Sequence, residues 1–279
     1  LLKLGDLEFH VVSDGHIYLD GGAMFGIVPK PLWEKQIPAD ARNRIKLGLN
    51  CFLVYTGGKR ILIETGAGGK IDAKRRDIFG LDGPRLYENL RGYATMPGDI
   101  DLVVNTHLHF DHCGGNTRLE HDRVVPVFPN ARYVFRKGEY ETAMHPNERT
   151  RATYFRENFA APEASNQIEL VEKDVEIAPG VELICVPGHT ADMLCVKLSG
   201  GGKSAFLLAD LVPTSAHLPL AWTMGFDLFP LTVIENKRKW LPQIAREEWI
   251  ALFVHDAYMP AAYLRERDGK FAAEPVKID

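Results

Sequence analysis

Apolar and polar positions alternate in short runs through the first third of the chain, which is the pattern of half-buried strands. Leu7–Ser13 and His16–Leu19 flank Asp14-Gly15, which predicts a hairpin; Leu47–Tyr55 and Arg60–Glu64 flank Thr56-Gly57-Gly58-Lys59, which predicts a second. Between them, residues 20–46 carry Gly21-Gly22, three prolines and the apolar Met24, Phe25, Ile27, Val28, Leu32 and Trp33. A connection that long usually serves function or covers something. Pro84–Tyr93 reads as a short helix, Asp101–Asn105 and Tyr133–Phe135 as strands, and Lys137–Met144 and Glu148–Phe159 as helices. The second half repeats the theme. Val181–Val186, Leu194–Leu198 and Ser204–Leu208 read as strands and Trp249–Val254 as the last one. Ile234–Glu247 reads as an amphipathic helix with Ile234, Leu241, Ile244 and Ala245 on one side. Strand pairs precede helices in both halves. The expected fold is a single mixed α/β domain over 1–279, an αββα sandwich with pseudo-duplicated halves at roughly 1–150 and 151–279.

Composition narrows the classes. The 279 residues are 46% hydrophobic and 25% charged, enough apolar material for a large core and unlike a disordered chain. Thirty-three Lys and Arg against 37 Asp and Glu leave a net charge of −4, which argues against a non-specific nucleic-acid binder. No apolar run approaches the roughly 18–20 residues of a membrane span, so no membrane partner is expected. Cys51, Cys113, Cys185 and Cys195 are too few for a disulfide framework and form no C-x-x-C pair. Reduced thiols and a cytoplasmic location are the expectation, with one disulfide left open.

The chemistry concentrates in Thr106-His107-Leu108-His109-Phe110-Asp111-His112-Cys113-Gly114-Gly115-Asn116. His107 and His109, two apart, point the same way from an extended strand end. A turn at Asp111-His112 would swing both toward the same cavity, and Gly114-Gly115 lets backbone pack closely behind. Imidazole nitrogen and carboxylate oxygen suit zinc, and also iron, manganese or cobalt. The absence of thiolate is a catalytic pattern. Three more candidates end apolar strands: His189 in Pro187-Gly188-His189-Thr190, Asp210 after Ala209, and His255 before Asp256. Asp256 reads as structural.

This chain resembles the metallo-β-lactamase-fold hydrolase superfamily over nearly its whole length. The carriers are the H-x-H-x-D-H segment, the later His, Asp and His, Val186-Pro187-Gly188-His189-Thr190, and Glu64-Thr65-Gly66 in place of an early D-T-G turn. The resemblance implies two divalent metal ions, zinc by expectation with Mn, Fe or Co as alternatives. His107, His109 and His189 would hold the first, Asp111, His112 and His255 the second, and Asp210 would bridge them. A water or hydroxide between the metals would be the nucleophile, and Asp111 would shuttle a proton to the leaving group.

Within the family, Asp210 and His255 argue against true β-lactamases, and His109 argues against the flavodiiron oxidases. The segment His107–Asn116 and the insert at 20–46 are similar to acyl-homoserine-lactone lactonases and methyl-parathion-hydrolase-like enzymes. Classical lactonases place a Tyr soon after the bridging Asp; here Leu211-Val212-Pro213-Thr214 follows. The expected activity is hydrolysis of a lactone or ester in a small-molecule substrate, with promiscuous phosphotriester cleavage. The alternatives are an organophosphate or aryl-ester hydrolase, or an iron-dependent oxidoreductase of the same fold. Met24, Phe25, Trp33, Trp222, Met224 and Phe226 are candidates for the substrate pocket, with interior packing or a homodimer contact through 20–46 equally open. His217 is a candidate polar helper.

Overall fold

The computed structural model describes residues 1–277. The first part of the chain supplies β1 (Leu2–Leu4), β2 (Leu7–Asp20), β3 (Arg44–Thr56), β4 (Lys59–Ile63), β5 (Leu102–Val104), a separate hairpin β6 (Thr117–Glu120) and β7 (Arg123–Pro126), then β8 (Arg132–Arg136) and β9 (Ile168–Val171). Its helices are α1 (Gly21–Phe25), α2 (Lys30–Trp33), α3 (Ala73–Ile78), α4 (Leu86–Arg91), α5 (Phe110–Cys113), α6 (Lys137–Met144) and α7 (Ala160–Ala164). The rest supplies β10 (Val175–Ala178), β11 (Val181–Cys185), β12 (Leu194–Gly200), β13 (Lys203–Leu207), α8 (Pro230–Arg246), β14 (Ile250–Leu252), β15 (Ala261–Arg267) and β16 (Lys270–Pro275). One sheet has the order β1-β2-β3-β4-β5-β8-β9, the other β10 through β16 in sequence. The β4–β5, β5–β8, β8–β9 and β13–β14 pairs are parallel; the rest of both sheets is antiparallel.

Strand alternation sorts the side chains into layers. Phe52, Val54, Ile61 and Ile63 of the first sheet pack with Leu183, Val196, Leu198, Ala205, Leu207 and Leu252 of the second, so the sheets lie face to face. Their neighbours in register turn outward. Leu53, Leu62, Val103 and Tyr133 pack with Leu86 and Leu90 of α4. Cys195, Phe206 and Ala251 pack with Val233, Trp240, Leu241 and Ile244 of α8. Each fully buried Val, Leu, Ile or Phe side chain among them contributes about 1.5–3 kcal/mol relative to exposure. The result is the expected sandwich with helices outside.

Three local expectations are corrected. Asp14-Gly15 is not a hairpin turn: β2 runs straight through it, and Asp14 and Gly15 oppose Leu49 alone between the pairs Ser13–Asn50 and His16–Gly48. This is a bulge. It forms because the Asp14 carboxylate is buried and accepts the N–H groups of Gly68, Arg85 and Leu86. Glu148–Phe159 is not a helix but a series of turns ending in a short 3-10 segment, Arg156–Asn158. The Asn147 side chain accepts from the N–H groups of Arg149 and Thr150 and so closes a turn instead. Trp249–Val254 is not the last strand, since the β15–β16 hairpin follows it. All four cysteines are free thiols. Among the described residues, no helix is long and apolar enough to cross a membrane.

Candidate metal centre

The candidate ligands sit where strands end, at the edge shared by the two sheets. β5 leads into His107 and His109, and α5 then carries Asp111 and His112. β11, β13 and β14 of the second sheet lead into His189, Asp210 and His255. Backbone geometry makes the approach close. A Cβ on Gly114 would lie 2.1 Å from the Ala67 carbonyl, and one on Gly115 2.2 Å from that of Thr65. Only glycine allows the Glu64-Thr65-Gly66 turn to seat on α5 this way. Opposite, Gly48 beside the β2 bulge exchanges two hydrogen bonds with His255, its N–H to the His255 carbonyl and its carbonyl to Nδ1 at 2.9 Å.

Three groups of side chains could each hold an ion: His107, His109 and His189; His107, His112 and Asp210; and Asp111, His112 and His255. His109 Nδ1 lies 3.0 Å from His107 Nε2 and 3.1 Å from His189 Nε2. His112 and His255 bring their Nε2 atoms to 3.1 Å. Nitrogens at about 2.0–2.1 Å from one tetrahedral zinc would be about 3.3 Å apart, so these spacings are those of ligands sharing a cation. Asp210 lies between the groups. Its Oδ2 is 3.3 Å from His189 and 4.0 Å from His107, and its Oδ1 is 3.4 Å from His255 and 3.6 Å from His112. Asp111 Oδ2 approaches His255 Nε2 at 3.7 Å. Asp210 Oδ1 is buried without a hydrogen-bond partner, a costly state that a cation would relieve. The donor set therefore fits divalent metal ions.

The electrostatics divide the imidazoles: burial opposes charge on His112 and His189, but the facing carboxylates, Asp210 foremost, outweigh it and raise both, His112 well above the ordinary range. Burial, then the neighbouring imidazoles, push His107 and His109 well below the ordinary histidine range, leaving them neutral and able to donate lone pairs. Burial opposes charge on Asp210, but His112, His255 and His189 outweigh it and hold its carboxyl well below the usual range.

The far nitrogens are held by the fold. His189 Nδ1 is 2.9 Å from Asp227 Oδ1, and His112 Nδ1 is 3.3 Å from Glu64 Oε1. Glu64 itself sits at φ 65 with its carboxylate accepting from Thr106. Buried Glu139 on α6 joins two loops: it accepts from the Leu108 N–H at 2.9 Å and the Thr190 hydroxyl at 2.7 Å. Asp227 and Glu139 escape sequence reading, because neither stands in a motif and each meets its partner across a long stretch of chain. Asp256 caps the turn after His255, accepting from Ser215, Tyr258 and Met259.

A cavity of about 260 Å³ opens on these residues. His109, Asp111, His189, Asp210 and His255 form its floor, and Leu19, Met24, Phe79, Phe110, Met224, Phe226 and Leu228 most of its wall. Of the sequence candidates, Met24, Met224 and Phe226 line it. Phe25, Trp33, His217 and Trp222 do not. Phe25 stacks between Trp33 and His217 at centroid distances of 5.4 and 4.4 Å, with Trp222 edge-on. These rings anchor the insert from behind, and their apolar character is accounted for without a second copy. His217 has both ring nitrogens engaged, by Thr214 Oγ1 and the Met24 carbonyl, and burial pulls its pKa down to about 3, so it offers no free polar atom. In the insert, Ile27 and Leu32 stay exposed.

The profile of the metallo-beta-lactamase superfamily matches residues 45–255. An N-acyl homoserine lactonase from Bacillus thuringiensis is 27% identical over 230 residues, 76% of this chain and 82% of that protein. A probable metal-dependent hydrolase from Staphylococcus aureus superposes with TM-score 0.91 at 32% identity, covering 99% of this chain and 100% of that one. AidC, a dizinc quorum-quenching lactonase solved with a product, superposes with TM-score 0.83 at 21% identity, covering 100% and 97%.

Proposed function

The chain belongs to the metallo-beta-lactamase superfamily of metal-dependent hydrolases, and from that footing we propose that it opens a small lactone or ester at a two-ion centre. One observation carries the reading: the two oxygens of Asp210 face two separate imidazole groups, and one oxygen is buried with no hydrogen-bond partner. His107, His109 and His189 would hold one ion and Asp111, His112 and His255 the other, with Asp210 facing both groups. Bound there, divalent ions supply hydroxide at neutral pH and polarise a carbonyl. The protein's own part is placement and proton handling. Apolar walls exclude water from the scissile bond and seat the substrate's arm. Asp111, on the cavity floor, holds the proton that passes to the leaving oxygen. Among the described residues no tyrosine lines the cavity, and Tyr154, whose ring packs 4.8 Å from that of His109, donates its hydroxyl to Glu139 at 2.8 Å.

The lactonases of Bacillus and the AidC fold support lactones as the first substrates to try, with aryl esters and phosphotriesters beside them. The test measures initial rates of zinc- and manganese-loaded protein on acyl-homoserine lactones of several lengths, aryl esters and a phosphotriester. Lactone turnover with kcat/KM above about 10⁴ M⁻¹s⁻¹, lost in Asp111→Asn, is the expected result. Metal analysis should find two ions per chain and fewer in Asp210→Ala. Full activity and metal content in both variants would overturn the proposal.

A further inference from the structure

Among the described residues, and apart from the candidate ligands, three polar side chains line the cavity: Arg149, Thr150 and Thr153. The two hydroxyls are engaged elsewhere, Thr150 with Asn147 Oδ1 and Thr153 with the Thr150 carbonyl at 2.8 Å. Arg149 is different. Its Nη2 donates to the carbonyls of Gly225 at 2.9 Å and Asp227 at 3.3 Å, which pins the guanidinium to the loop that carries Met224 and Phe226. Among the described residues, its Nη1 and Nε have no protein partner. A permanent cation is thus fixed at the rim of a pocket otherwise walled by carbon, with donors left over.

We propose that Arg149 selects substrates whose arm ends in a carboxylate, an inference that rests on the hydrolase reading above. An apolar wall cannot discriminate strongly among arms of similar shape. A charge-assisted hydrogen bond from the exposed but pinned guanidinium can, because it is about twice as strong as a neutral one and has a fixed position. The carboxylate accepts from Nη1, the methylenes lie along Met24, Met224 and Phe226, and the scissile carbonyl reaches the floor.

The experiment uses 4-nitrophenyl monoesters of pentanedioic to octanedioic acid, each paired with the ester of the monocarboxylic acid of equal length, on the metal-loaded enzyme. The unreactive monoanilides of the same acids are titrated calorimetrically in parallel. At one chain length the carboxylate member should win by about tenfold in kcat/KM and in Kd. Arg149→Gln, which keeps an amide donor for the Gly225 carbonyl, should bring both ratios to about one, and Arg149→Lys should keep part of the preference. A ratio near one throughout the wild-type series, or a preference unchanged in Arg149→Gln, overturns the proposal. The anilides separate the two readings. Anilide preference without ester cleavage defeats the hydrolase reading and leaves Arg149 as the anion site; cleavage without preference does the reverse.

Discussion

At the scale of single residues, the side chains that hold the candidate ligands deserve as much weight as the ligands. Asp227 has two roles: Oδ1 fixes the His189 ring, and Oδ2 accepts from the Met224 N–H at 2.8 Å. Asp227→Asn should therefore weaken metal binding by about 10–100-fold, read by competition with a chelator, and should also alter KM across the ester panel. Glu139 ties the loop between His107 and His109 to the loop after His189. Burial raises its pKa, with its hydrogen bonds opposing. Glu139→Ala leaves three buried donors unmatched and should lower stability by about 2–4 kcal/mol in denaturant unfolding. The candidate ligands themselves were legible in the sequence, because nitrogen and oxygen donors at strand ends in family spacing have few other uses. Asp227 and Glu139 were not, because a carboxylate that acts through tertiary approach leaves no local pattern. The pocket was half legible. Met24 lines the wall while its neighbour Phe25 points into the packing behind, and apolar character alone does not separate the two.

At the scale of elements, the chain contains an instructive pair of Asp-Gly dipeptides. Asp268-Gly269 joins β15 to β16 with φ 51 and 70, as a tight hairpin turn requires. Asp14-Gly15 has positive φ at Gly15 alone and sits inside one strand. What differs is the side chain: Asp14 is buried and bonded to three backbone N–H groups, so tertiary contacts overrule the turn signal. Asp14→Ala would leave those donors unmet and should lower stability by about 2–4 kcal/mol. Helix α8 shows a second override. Its buried stripe is Val233, Lys237, Trp240, Leu241 and Ile244, and the lysine in it donates to the carbonyls of His217, Pro219 and Trp222. Burial pulls the Lys237 pKa down to about 7, against the opposing charge of Asp227. A depressed folded-state pKa means the unfolded chain binds the extra proton between about pH 7 and the ordinary lysine value. Stability should rise with pH across that window by about 1.4 kcal/mol per unit. Unfolding of the wild type against Lys237→Met at pH 7 and pH 9 checks this: the gap should widen with pH, and a constant gap would mean the ammonium stays charged on its three carbonyls.

At the scale of the whole molecule, the candidate centre straddles the sandwich. His107, His109, Asp111 and His112 follow the first sheet, and His189, Asp210 and His255 follow the second. Ions bound there cross-link the two sheets at one edge while the apolar core joins their faces. Chelation should therefore lower the melting temperature, and readdition of zinc should restore it. At a free metal level of about a thousand times Kd, the shift corresponds to about 4 kcal/mol. The sandwich was legible from strand spacing, since alternating runs fix which face of each strand is buried. The edge strands β10 and β16 were missed, as exposed edges carry weak apolar patterns: β10 buries Ala178 alone and β16 buries no residue. The cavity wall comes largely from other segments than the floor: Leu19 from β2, Met24 from α1, Phe79 after α3, and the loop from Met224 to Leu228. Reactivity and selectivity are thus inherited separately. A lineage can trade wall residues one at a time while the candidate ligands stay intact, and so wander between substrates without passing through a dead enzyme.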